Sequence, residues 1–172
     1  MKALSILIGI AAGIGLALVI FKYSNRNHKM ETQYDERQKD VRGKGYRYAY
    51  YAMMIYEAIL LILSIGEVAL PVESYVLHFT GMLVGAMVLA TYCIWHDAYW
   101  GLNNNRKRCG LIFLALGILN AIPVIGSLAR GGMLENGKLA TPAINLGVLI
   151  MLVVTGAELL IKAQLEKRGA EE

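Results

Sequence analysis

The stretch KYSNRNHKMETQYDERQKDVRGKGYR, residues 22–47, holds eight of the seventeen lysines and arginines in the chain. It lies between two apolar runs, ALSILIGIAAGIGLALVIF at 3–21 and YAYYAMMIYEAILLILSIGEVAL at 48–70. A helix needs about 20 largely apolar residues to cross about 30 Å of hydrocarbon, and both runs have that length. Three more runs follow, Leu77 to Ala98, Leu111 to Leu128 and Pro142 to Ile161. The reading is all-α: an integral membrane bundle of five transmembrane helices in which residues 22–47 form a connector.

The gaps between runs alternate in charge. The gap at 71–76 carries no Lys or Arg and one acid, Glu73. Arg106, Lys107 and Arg108 fill the next, Arg130 and Lys138 the one after, and Lys162, Lys167 and Arg168 the tail. Fourteen of the seventeen basic residues thus fall in the first gap, the third gap and the tail. Basic loops stay in the cytoplasm. The expected topology is therefore N-outside and C-inside, in the plasma membrane, with the 22–47 connector cytoplasmic. Two aromatic clusters fit the same frame. Tyr46, Tyr48, Tyr50, Tyr51 and Tyr56 mark one passage through the inner headgroup level; Tyr92, Trp95, Tyr99 and Trp100 mark another.

Composition excludes several classes. The 172 residues are 56% apolar and 17% charged, against about 25% charged in soluble domains. The runs leave no room for a sizeable soluble domain, so the chain reads as one membrane domain. No alternating pattern of about ten residues marks a barrel strand. The net charge of +4 comes from residues flanking the runs, which points to orientation and anionic lipid rather than to direct nucleic-acid binding. Lys2 and the first run resemble a signal peptide. No small-x-small site lies at the end of the run, at Val19-Ile20-Phe21-Lys22, so a retained helix is expected. Cys93 and Cys109 fall on or near the cytoplasmic side, where thiols stay reduced.

Within the connector, Thr32 and Asp35 have capping-box spacing. Asp35 with Lys39, and Asp40 with Lys44, are acid-to-base pairs at i,i+4. A short charged helix over 33–42 is expected, with a bend at Gly43-Lys44-Gly45 before the next span. Its polar surface is the candidate docking surface for a partner: Tyr34, Asp35, Glu36, Arg37, Gln38, Arg42 and Lys44.

Ionisable groups inside a span are costly and therefore candidates for function. Glu57 lies about nine residues into its run, or about 13 Å deep at 1.5 Å per residue. Asn120 and Asn145 are its candidate partners, together forming an intramembrane polar site for a proton or cation. Asn120 also precedes Pro123 and could satisfy backbone freed by it. Glu67 and Glu158 are placed near helix ends, and His78 stands alone near the outer end of its run. Cys93, His96, Asp97 and Trp100 are spaced i, i+3, i+4, i+7, which would put them on one helix face. They form a weaker candidate site for a metal, with Cys109 and His28 as the only additions. No catalytic or cofactor motif is present, so no enzyme, cofactor or metal is expected. Gly9 and Gly13, and Gly81 and Gly85, make two GxxxG motifs, read as helix packing within the chain or in a homodimer. Asn136-Gly137 in the outer loop is a hairpin signal.

The string YDERQKDVRGKGYRYAY at 34–50 resembles one found in small, uncharacterised integral membrane proteins of mainly Gram-positive bacteria. In those proteins the segment follows the first span, and a helix-turn-helix regulator is often encoded nearby. The resemblance implies a bacterial plasma-membrane protein and transfers no catalytic residue. The expected function is a non-enzymatic interaction or regulatory protein that docks a cytoplasmic or membrane partner through 34–47. The alternative is a small transporter, or a subunit of one, that uses Glu57.

Overall fold

A computed structural model of the protein describes residues 15, 18, 19, 22, 32–102 and 106–169. The first apolar run, the Gly9–Gly13 motif and His28 lie outside the described residues, as does the side chain of Cys109. The chain divides into two compact units, 1–33 and 34–172. In the first, Gly15, Leu18, Val19 and Lys22 are helical.

The second unit consists of helices α1 (Glu36–Ile65), α2 (Ser74–Trp95) and α3 (Arg106–Ala129), a hairpin of β1 (Leu134–Glu135) and β2 (Lys138–Leu139), and α4 (Thr141–Gly169). All four helices are long and apolar enough to cross a membrane. They pack in a row: α1 on α2, α2 on α4, and α4 on α3. Large apolar side chains such as Ile59, Met82, Leu119 and Val153 are exposed along the helices, where a bilayer would replace water.

Lipid tails give apolar helices no hydrophobic drive to associate, so close approach of small residues supplies the packing. The α1–α2 seam shows this. A Cβ on Gly85 would sit 2.5 Å from Met53 Cγ, and one on Gly81 would sit 2.9 Å from Tyr56 Cδ1. Gly45 meets Leu89 and Tyr92 in the same way, at 3.0 and 3.3 Å. The Gly81–Gly85 motif therefore packs within the chain. Gly147 on α4 likewise seats Leu83 of α2.

Two expectations are corrected here. The connector helix and the second run are one continuous helix, with no bend at Gly43-Lys44-Gly45. Gly45 serves close packing against α2, and packing holds its turn helical. The N-cap is Asp35, not Thr32: its side chain accepts from Gln38 N, and Gln38 reciprocates to the Asp35 backbone. Asp35 is thereby used as a cap. The Asp40–Lys44 pair does form, at 2.8 Å.

The predicted ends also move. α1 stops at Ile65 and α2 at Trp95, well before Leu70 and Ala98. Both close in Schellman motifs, with Glu67 (φ 53) and Asp97 (φ 58) in the left-handed position. The closing bonds are Val68 N to Leu63 O and Ala98 N to Cys93 O. α4 continues past Ile161 to Gly169. The Asn136-Gly137 hairpin forms as its turn chemistry requires, both residues having positive φ. Val72 bridges to Leu139, with Leu139 N bonded to Pro71 O and Glu73 N to Leu139 O. The hairpin is thus laced onto the α1–α2 loop.

Candidate functional site

The end of the bundle that carries the basic motif is organised around the loop after α2. A helix leaves its last carbonyls without intrahelical partners, and the loop that follows adds more. The motif on α1 donates to them. Arg37 Nη1 reaches His96 O at 3.0 Å and Nη2 reaches Asp97 O at 3.5 Å. Gln38 Nε2 donates to Asp97 O at 2.8 Å and to Trp100 O at 3.1 Å. Arg42 Nη1 reaches Ala98 O at 3.3 Å, and its guanidinium lies 4.3 Å from the Tyr34 ring centre. That burial pushes the Tyr34 phenol up, partly offset by the Arg42 charge. From the other side, Lys162 on α4 donates to Ile94 O and pairs with Asp97 Oδ1, both at 2.5 Å.

The candidate docking residues therefore divide. Gln38 is buried, and Arg37 and Arg42 turn toward the loop. Glu36, Lys39, Asp40, Lys44 and Arg47 remain exposed on the same turns. The two aromatic clusters meet here, Tyr48 lying edge-on to Tyr92 with ring centres 5.0 Å apart.

The candidate metal face is corrected. Its spacing assumed a helix beyond Trp95, but the left-handed Asp97 turns the chain away. Cys93 is buried beside Gly45. His96 bonds the carbonyl of Tyr92 at 2.8 Å and stacks on its ring. Asp97 points to Lys162. Among the described residues, no three His, Cys, Asp or Glu side chains converge on one point.

Glu57 is the second focus. Its partner is neither Asn120 nor Asn145 but His78 of α2, with Glu57 Oε2 and His78 Nδ1 2.8 Å apart. Antiparallel pairing of α1 and α2 sets this register. Met53 faces Gly85, near the middle of α2, and Glu57 lies one turn further along, about 6 Å off centre at 1.5 Å per residue. Gly81 makes room for it: a Cβ there would sit 2.7 Å from Glu57 Oε1. Asn120 instead donates to Leu116 O in its own helix, at 2.8 Å. An Asn in a helix readily reaches the carbonyl four residues back, whereas the carbonyl freed by Pro123 is that of Leu119. Asn145 lies on α4, and no hydrogen bond joins it to Glu57.

Glu57 and His78 line a cavity of about 420 Å³ at the hairpin end, together with Leu60, Ser64, Leu77 and Lys138. Sequence spacing missed His78 because it lies 21 residues from Glu57 on another helix. It also gave no partner for Glu158, which accepts from Thr91 Oγ1 at 2.9 Å between α4 and α2. The Gly81 motif was the one available signal for the Glu57–His78 register. No family model, curated protein or solved structure matches this chain.

Proposed function

We propose that this is a non-enzymatic, multi-pass protein of a bacterial plasma membrane that docks a partner through the outward side of the 34–47 segment. One observation carries the reading. The clamp on the carbonyls of the loop after α2 engages Arg37, Gln38 and Arg42, while Glu36, Lys39, Asp40, Lys44 and Arg47 take no part in it and are exposed on the same turns. A charged face held on a fixed scaffold is suited to recognition of a complementary surface. With the basic gaps inside, this face is cytoplasmic. The test is charge reversal of Lys39, Lys44 and Arg47 together, followed by recovery of the tagged protein from its native membrane in mild detergent and mass spectrometry. A stoichiometric partner captured by the parent chain should be lost from the variant, with membrane insertion unchanged. Equal capture by both would refute docking here.

The Glu57–His78 pair favours a second reading, an intramembrane proton or cation site of a small transporter. Against a conduit stands the α2 face between His78 and Thr91. Only Thr80 is polar among the twelve intervening residues, and the next polar station, Thr91 with Glu158, lies 11 residues beyond it. At 1.5 Å per residue that is about 16 Å of apolar helix. Glu57→Gln should abolish transport if this reading holds.

A further inference from the structure

We propose that the cavity between α1, α2 and the hairpin binds a small amphiphile with an apolar body and one anionic group, and that Lys138 receives the anion. The size fits: about 420 Å³ lies within the range of about 300–1,000 Å³ usual for small-molecule sites. The lining also fits. Leu60, Leu61, Leu63, Val68 and Leu77 supply apolar wall, and Ser64 and Ser74 bring hydroxyls.

Charge chooses the class of ligand. Three ionisable side chains line the cavity, Glu57, His78 and Lys138. Glu57 and His78 answer each other at 2.8 Å. Of the three, Lys138 is the one with no hydrogen-bond or ion-pair partner among the described residues. Glu135 stands opposite it across the hairpin, yet the two form no ion pair. A free ammonium on a flexible stem beside an apolar hollow is suited to an anion whose body can fill the hollow.

The position of Lys138 is built rather than incidental. The Asn136-Gly137 turn fixes the hairpin, and the bonds of Leu139 and Glu73 lace it to the α1–α2 loop. That lacing brings Lys138 to the cavity wall from a different element of the chain. The site is at the opposite end of α1 from the docking face, so it stands or falls independently of the docking reading.

The test uses the full chain in nanodiscs of zwitterionic lipid, titrated with decanoate, its methyl ester and decylammonium. Decanoate should bind saturably, and the ester and the ammonium should each bind about tenfold more weakly or worse. Lys138→Gln should weaken decanoate by a similar factor, as should Gly137→Val, which breaks the turn, whereas Lys167→Gln in the exposed tail should not. Repeating the titration in anionic lipid identifies the source of the anion. Loss of decanoate binding there names a lipid headgroup, and retention names a free amphiphile. The proposal is overturned if ester and acid bind alike, if none of the three saturates, or if decylammonium binds best and Glu57→Gln abolishes it.

Discussion

Replacing Gln38 with Ala tests whether the basic motif is first a clamp. Gln38 is only 7% exposed, and its amide makes three bonds that the substitution removes. Two run from Nε2 to the carbonyls of Asp97 and Trp100, at 2.8 and 3.1 Å; the third closes the capping box at 3.3 Å. Each such bond contributes about 0.5–1.5 kcal/mol net. The longest is the weakest, and Asp97 O keeps a long contact from Arg37, so about 2–3 kcal/mol should be lost in total. Equilibrium unfolding in mixed micelles measures the loss. Lys39→Ala, one residue along and exposed, should stay within about 0.5 kcal/mol of the parent. Amide hydrogen exchange should rise at Asp97 to Gly101 in Gln38→Ala and stay flat in the control. The clamp is refuted if Gln38→Ala and Lys39→Ala unfold alike, or if exchange in that loop does not change.

Two further substitutions probe the elements that place the sites. Gly81→Ala forces a methyl into Glu57 and Tyr56 and should cost about 1–3 kcal/mol by overpacking. Gly117→Ala meets no atom within 4 Å and should gain up to about 1 kcal/mol from helix propensity. Thermal unfolding in detergent compares them, and equal effects would contradict the α1–α2 seam. Glu67 holds φ 53 in an exposed position, so Glu67→Gly should stabilise by about 0.5–1 kcal/mol through relief of left-handed strain. A loss of stability in the same assay would mean that the Glu67 side chain holds the turn.

The charge pattern drew attention to the 34–50 segment, but it does not say how the residues there divide. Periodicity places Arg37, Gln38 and Arg42 on a helix. It does not say that the loop after α2 returns to meet them, about 60 residues later in sequence. The bend assigned to Gly43 and Gly45 shows the same limit. Glycine permits a turn and also permits close packing, and only the neighbour decides which. At Gly45 the neighbours are Leu89, Tyr92 and Cys93.

Local chemistry by itself determined helices long and apolar enough to cross a membrane, because long apolar runs in lipid satisfy their backbone as helices. It also determined the Asn136-Gly137 hairpin, since both turn residues must take positive φ. The tertiary structure decided what the polar residues inside those runs do. Glu57 found His78 rather than an asparagine, and Asp97 turned from a candidate ligand into a helix terminator held by Lys162. The physical reason is common to both. Membrane helices lack a hydrophobic force that fixes their register, so small residues such as Gly81 and Gly85 fix it, and each polar group bonds whatever that register brings within reach.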